Sequence, residues 1–141
     1  MNRTRSVAIL AVTLAGLVAV SVSSPPSGQA RPVVSARITG IEAAAGSPSA
    51  RVSLLARCAP GWDNNAVAQR LILRQDPAVA YTNVTGSDVG WPCDGLDHRF
   101  TVDLTADGPW QPGGAQASFD ATVTDGTNWA ADSARKSMRI R

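Results

Sequence analysis

Apolar and polar residues alternate with a period of two along most of this chain, and that alternation constrains its fold more than any other feature. Residues 51–58 place small or apolar side chains at every even position up to Cys58, and residues 115–123 place them at every odd position around Phe119. Such alternation is typical of β-strands that bury one face. Shorter or weaker forms of the pattern recur in residues 34–41, 67–74, 79–84, 99–104 and 137–141.

Turn-forming dipeptides separate these alternating runs. Examples are Pro60-Gly61, Asp76-Pro77, Asp94-Gly95 and Asp125-Gly126, which combine residues that favour tight turns. Residues 66–75 also tolerate a helix, but strands surround them and no helix caps flank them. Five to seven short strands without a convincing helix predict an all-β protein, an antiparallel β-sandwich.

The first thirty residues have the pattern of a secretory signal peptide. Arg3 and Arg5 precede an uninterrupted apolar run, residues 7–22, which is too short to span a bilayer comfortably. The small residues Gly28 and Ala30 then predict cleavage after Ala30. Cleavage six residues later and an uncleaved membrane anchor are the alternatives.

The remaining residues, 31–141, are predicted to form one secreted, extracellular domain with no membrane association after cleavage. The whole chain has 13 Lys and Arg and 11 Asp and Glu, a net charge of +2. Because Arg3 and Arg5 belong to the leader and no acid does, the mature domain is neutral. This balance argues against a nucleic-acid partner. Basic residues of the last run, Arg135 to Arg141, are interpreted as a solvated strand face.

Cys58 and Cys93 are the only cysteines. In an exported protein an even pair predicts one disulfide, which stabilises a fold of this size by about 3–4 kcal/mol in the chain-entropy model. The alternative is a metal site or a catalytic thiol. Since only His98 is available to assist, that ligand set is poor.

From Cys58 onward the chain resembles a loosely defined family of small exported actinobacterial proteins. The resemblance rests on the strand ending at Cys58, Gln75 after the next strand, Cys93-Asp94-Gly95, and residues 110–115 leading into the Phe119 run. It implies an immunoglobulin-like sandwich of about seven strands with a Cys58–Cys93 bridge. The family has no assigned activity, so the resemblance implies no functional residue.

The sequence contains no convincing catalytic or metal-binding set. His98 is the only histidine; its neighbour Asp97 leaves a strand on the opposite face, and no G-x-S-x-G motif supplies a nucleophile. We therefore predict a protein that is not an enzyme and has no catalytic residue, cofactor or metal. Acids and amides that offer oxygen ligands for Ca²⁺ lack the spacing of a calcium loop and are ordinary turn formers; they lie at 63–65, 88, 94–97 and 125–128.

The four tryptophans are the most suggestive feature for function. Trp62, Trp91, Trp110 and Trp129 all lie in turn-rich segments, and the loops of a sandwich gather at its two ends. We predict that at least two, with Trp91 and Trp129 favoured, face solvent together as a binding surface. The alternative is that the rings cover a small core.

The predicted function is therefore that of a non-enzymatic extracellular binding or interaction module, whose partner is a protein or a glycan. Two alternatives remain. One is a small secreted hydrolase with an unrecognised site. The other is an inhibitor of an exported enzyme, for which residues 90–95 form the candidate loop.

Overall fold

The alternating runs of the sequence fold as seven β-strands. The computed structural model describes residues 31–64, 69–84 and 91–141, and these contain no helix. The predicted signal peptide, residues 1–30, lies outside the described residues, and the described part belongs to one unit, Arg31–Arg141. The strands are β1 (Val34–Ala43), β2 (Ser49–Cys58), β3 (Gln69–Arg74), β4 (Val79–Val84), β5 (Asp97–Thr105), β6 (Gly113–Thr124) and β7 (Trp129–Ile140).

The strands form a three-stranded sheet in the order β1-β2-β5 and a four-stranded sheet in the order β4-β3-β6-β7. All pairs are antiparallel. Because β4 lies beside β3, the topology differs from a constant immunoglobulin domain, in which the fourth strand belongs to the sheet of the first two. Apart from this placement of β4, the two sheets contain the strands expected of an immunoglobulin-like sandwich, so the predicted all-β, immunoglobulin-like sandwich of seven strands is confirmed.

A β-bulge explains why the alternation in β1 was weak. Ile38 pairs with Leu54, but the next partner of β2, Ser53, pairs with Gly40. The extra residue changes which positions face the core, so even positions point inward up to Ile38 and odd positions do so from Ile41 onward. A pattern with a fixed period of two is therefore broken in the middle of this strand.

The last strand is longer than the sequence pattern predicted. Alternation indicated only residues 137–141, whereas β7 begins at Trp129. Asp132 and Lys136 occupy inward-facing positions of β7, where their polar side chains interrupt the apolar pattern. Asp132 has a structural role, since its Oδ2 accepts a hydrogen bond of 2.8 Å from the backbone N–H of Ala36 on β1. This contact joins the neighbouring edges of the two sheets.

The core between the sheets is lined by small residues and closed by aromatic rings. Ala117 and Ala121 on β6 are fully buried beside Phe119. Two groups of loops flank this core. The disulfide end comprises residues 59–64, 91–96 and 125–128, and the opposite end comprises residues 44–48, 75–78 and 106–112.

In the described part of the chain there is no helix able to cross a membrane.

Candidate binding surface

The disulfide joins neighbouring strands of the three-stranded sheet at one end of the sandwich. Cys58 is the last residue of β2, Cys93 lies just before β5, and their Cα atoms are 4.4 Å apart. The backbone N–H of Gly95 also donates to the carbonyl oxygen of Cys58 at 2.8 Å. The predicted pairing and its position are thus confirmed. A disulfide of this kind indicates an oxidising environment.

The prediction that Trp91 faces solvent is wrong. Its side chain is 1% exposed, and its ring centroid lies 6.0 Å from that of Phe100 and 6.3 Å from that of Phe119. Asn64, itself buried, donates its side-chain amide to the carbonyl oxygen of Trp91 at 2.7 Å. Because the bridge at Cys93 fixes the adjacent backbone against β2, the ring is held over the core instead of projecting outward.

Trp110 covers the core at the opposite end and is also fully buried. Its backbone N–H donates to the carbonyl oxygen of Ser47 at 3.0 Å, and its own carbonyl accepts from the N–H of Gly46 at 2.8 Å. These paired bonds attach the segment before β6 to the turn between β1 and β2. For Trp91 and Trp110, the alternative that the rings cover the core is therefore correct.

Trp62 and Trp129 lie at the disulfide end, and they differ in exposure. Trp129 is 63% exposed, whereas Trp62 is partly buried against the core. An isolated bridge pairs Asp63 with Thr124, and Thr124 pairs with Trp129 in the β6–β7 ladder. The two tryptophans therefore flank the same short stretch of sheet, with Trp129 as the ring that is open to solvent.

A dense hydrogen-bond network fixes the turn that presents Trp129. One carboxylate oxygen of Asp125 accepts from the backbone N–H groups of Thr127 at 2.9 Å and Asn128 at 2.6 Å, and the other accepts from the Asn128 side chain at 3.0 Å. The hydroxyl of Thr124 donates to the Asn128 carbonyl at 2.8 Å. The bonds that Asp125 accepts, that from the Asn128 side chain first, lower the pKa of its carboxyl group. The exposed indole of Trp129 therefore directly follows a turn that its own hydrogen bonds hold in one conformation.

The outer face of the four-stranded sheet continues from Trp129 along β7. Trp129 pairs with Thr124, so it lies on the same face as the outward-pointing residues of β6. Further along this face the exposed side chains are small, polar or basic. We call it the basic face and define it by Arg70, Arg74, Arg135 and Arg139, together with Gln116, Ser118, Asp120, Ser133, Ser137 and Trp129.

His98 has an acidic partner, but it is not the adjacent Asp97. Its Nε2 lies 2.8 Å from Oδ1 of Asp94, which also accepts from the backbone N–H of Leu96 at 2.9 Å. The hydrogen bond to His98, followed by that to Leu96, lowers the pKa of Asp94. Among the described residues, no serine hydroxyl is hydrogen-bonded to this histidine, so the pair has the acid and the base of a triad without a nucleophile.

The oxygen-rich turns are the sequence's candidates for a Ca²⁺ site. Among the described residues, no group of three or more His, Cys, Asp or Glu side chains is arranged to hold an ion. The carboxylate of Asp125 is engaged by its own turn, as described above. Two of the Ca²⁺ candidates, Asn65 and Asp88, lie outside the described residues.

Sequence reasoning missed Leu96, which is 64% exposed. It follows the loop proposed as an inhibitory segment, of which Gly90 lies outside the described residues. Leu96 stands between Gly95 and the first residue of β5, so no alternating pattern includes it. The sequence signal that could have identified Leu96 is an apolar residue placed between a turn glycine and the start of a strand.

A scan against protein-family models, a search of curated proteins and a search of solved structures each find no match to this chain.

Proposed function

We propose that this chain is a secreted, non-enzymatic binding module that engages an extracellular glycan or protein through the surface around Trp129. The observation that carries the proposal is the 63% exposure of this indole at the start of a strand whose preceding turn is fixed by Asp125. A large aromatic ring left in water contributes little to folding, whereas rigidly held aromatic rings are preferred anchors of binding surfaces.

The position of Trp129 also supports a binding role. In variable immunoglobulin domains, the connections between the second and third strands and between the last two strands meet at one end and form the binding loops. Here the corresponding connections are residues 59–68 and 125–128, and the described parts of both lie at the disulfide end. The bridge stabilises this end, which lowers the entropic cost of ordering loops on binding.

Export is the second part of the proposal. The basic and apolar leader, residues 1–30, and the disulfide are both typical of proteins that leave the reducing cytoplasm. The resemblance of the chain to small exported actinobacterial proteins with one disulfide supports the same proposal. Mass spectrometry of culture medium is expected to find a chain starting at Arg31. Retention of the full-length chain in the cytosol would contradict export.

The binding role is tested with a panel of insoluble extracellular polymers: peptidoglycan, chitin and cellulose, together with immobilised extracellular proteins of the producing culture. We expect the protein to be retained by at least one member, and Trp129→Ala to lose this retention while keeping the wild-type melting temperature. Leu96→Ala, at the other exposed apolar residue of the disulfide end, is the matched control. Retention unchanged by Trp129→Ala, or retention by no member of the panel, would overturn the proposal.

The exposure of Leu96 favours one alternative, an inhibitor of an exported protease. Leu96 is three residues from Cys93, and the backbone between them is held by the Gly95–Cys58 and Leu96–Asp94 hydrogen bonds. A protease with an apolar specificity pocket would take such a leucine. Inhibition of subtilisin or chymotrypsin that disappears in Leu96→Lys would support this function over the binding of a polymer. Full protease activity at saturating protein would exclude it for these two enzymes.

A further inference from the structure

The charges of this neutral domain are segregated by surface. The outward positions of β3, β6 and β7 carry four arginines and one carboxylate, that of Asp120. The outward positions of the three-stranded sheet carry four arginines and three acids. The acids that balance the basic face are found largely in the loops at the two ends of the sandwich.

The arginines of the basic face are poorly neutralised by the protein itself. Among the described residues, no carboxylate lies within ion-pair distance of Arg70, Arg135 or Arg139; only Arg74 has such a partner, Asp76 at 3.2 Å. The acid on this face, Asp120, accepts a hydrogen bond from the hydroxyl of Ser133 at 2.7 Å. The register places Asp120 opposite Arg70, whereas Arg135 lies opposite Ser118 and Arg139 opposite Gly114, so the guanidinium groups of β7 are the ones most available to an external anion.

The three-stranded sheet provides an internal comparison. There Arg51 is paired with Asp103 at 2.8 Å, and Glu42 is close enough to contribute to the raised pKa of Arg51. The register also places Asp97 opposite Arg57. The two faces contain the same number of arginines, but the three-stranded sheet sets three acids among them, whereas the basic face sets only Asp120, which lies opposite Arg70.

The arrangement of the basic face suits an extended ligand. Arg135 and Arg139 are four residues apart on β7, which corresponds to about 13 Å along the strand, and β3 lies two strand spacings away, about 10 Å. The outward positions of β6 and β7 between these arginines hold small or polar side chains, including Gln116, Ser118 and Ser137, and the half-buried Ile72 lies between Arg70 and Arg74 on β3. A shallow cavity of about 410 Å³ at one side is lined by Arg74, Gln75, Asp76, Gly114, Ala115, Gln116 and Ser137. The remainder of the face is a sheet surface, which offers separate charges to a long polymer instead of one enclosed pocket to a small molecule.

We propose that the basic face binds an extended anionic polysaccharide. Its carboxylate or sulfate groups pair with Arg135 and Arg139, and one of its sugar rings packs on Trp129. Guanidinium groups form paired hydrogen bonds with such anions, and the small polar side chains between them offer partners to sugar hydroxyls. This inference rests on the proposed binding function, for which it names the ligand class.

Other polyanions fit this face less well. Single-stranded nucleic acid is usually bound on several stacking aromatic rings, and among the residues whose side chains the structure describes, Trp129 is the one large aromatic ring found exposed. A lipid surface favours a broad apolar face beside the cations, whereas the outward residues of β6 and β7 are mainly serine, threonine, glutamine and arginine. A polysaccharide requires only one stacking ring together with dispersed charges and hydrogen-bond partners.

The test measures binding of the protein produced from the full chain, with its disulfide formed, to polygalacturonate, heparin and neutral dextran by isothermal titration calorimetry. We expect binding to at least one of the two anionic polymers, none to dextran, and a marked loss of affinity when NaCl is raised from about 0.05 to about 0.5 M. Arg135→Glu with Arg139→Glu is expected to weaken binding by about tenfold or more, and Trp129→Ala is expected to weaken it as well.

The matched control is Arg37→Glu with Arg99→Glu, which makes the same charge change on the outer face of the three-stranded sheet. This control has the same net charge as the Arg135→Glu, Arg139→Glu variant and is expected to bind within about twofold of the wild type. Melting temperatures confirm that both double variants are folded. Equal weakening by the two double variants, or wild-type affinity in Arg135→Glu with Arg139→Glu, would overturn the inference.

Two further outcomes identify a different partner. Tighter binding to a single-stranded oligonucleotide or to phosphatidylglycerol vesicles than to either anionic polysaccharide would also overturn it. If Trp129→Ala abolishes retention on the insoluble polymers while the Arg135 and Arg139 reversal has no effect, the anionic ligand is rejected and the proposed binding function stands.

Discussion

Gln69 is the first residue of β3 and Gln75 directly follows its last residue, and each pairs its side-chain amide with a backbone peptide of a neighbouring segment. Gln69 accepts from the N–H of Thr122 at 2.7 Å and donates to its carbonyl at 2.8 Å. Gln75 makes the same two bonds to Gln111, at 2.8 and 2.9 Å. Since Gln69 is fully buried and Gln75 is nearly so, these pairs satisfy backbone groups where the β3–β6 ladder ends.

The first prediction follows from this pairing. Gln69→Met keeps the size of the side chain but removes both hydrogen bonds to Thr122, so the free energy of unfolding is expected to fall by about 1–3 kcal/mol. Urea unfolding measures the change. Gln116→Met, at an exposed position of β6, is the control and is expected to change stability by less than about 0.5 kcal/mol. If both substitutions change the free energy of unfolding equally, the buried amide of Gln69 does not contribute the expected stabilisation.

A second prediction concerns the disulfide. It closes a loop with a sequence separation of 35 residues, for which the chain-entropy model gives a stabilisation of about 3–4 kcal/mol. The double variant Cys58→Ala with Cys93→Ala is expected to unfold at a correspondingly lower urea concentration, and reduction of the wild type should give the same shift. An unchanged midpoint in both experiments would contradict this contribution.

The third prediction separates the two kinds of tryptophan. Trp91 packs against Phe100 and Phe119 in the core, so Trp91→Ala should lower stability by about 3–5 kcal/mol. Trp129→Ala removes an exposed ring and should change stability by less than about 0.5 kcal/mol.

Fluorescence provides an independent measurement of the same difference. Iodide should quench mainly the emission of Trp129, so Trp129→Phe is expected to remove most of the quenchable signal. Quenching that is unaffected by Trp129→Phe would show that another indole is the accessible one.

The fourth prediction is a pH dependence at the turn before β7. Hydrogen bonds from Asn128 and Thr127 lower the pKa of Asp125 below its ordinary value of 3.8. The carboxylate therefore contributes its stabilisation fully above that value and loses it as the pH falls through the lower pKa of the folded state. Thermal unfolding of wild type and Asp125→Asn should differ near neutral pH, and the difference should shrink in acid. A constant difference at all pH values would assign the effect to turn geometry alone.

Local patterns in the chain predicted the strands well where one face is buried and the opposite face is polar. β2 and β6 follow this rule with little interruption, and both were found where the alternation placed them. The pattern was weaker in β1, where the bulge after Ile38 changes the parity, and in β7, where Asp132 takes an inward position to bind Ala36 on the other sheet. In both strands the interruption reflects pairing or contact with distant residues, which a local pattern does not contain.

The sequence by itself determined that this chain is an all-β sandwich with one disulfide, because alternation, turn residues and an isolated pair of cysteines are local or compositional signals. It did not determine which indole meets solvent. Trp91 and Trp129 both follow turn-forming residues, yet the bridge at Cys93 holds one over the core while the Asp125 turn starts β7 with the other facing outward. Only the tertiary structure decided this, and it also gathered Arg70 and Arg135, distant in sequence, on one sheet face, because strand register brings residues together regardless of their separation along the chain.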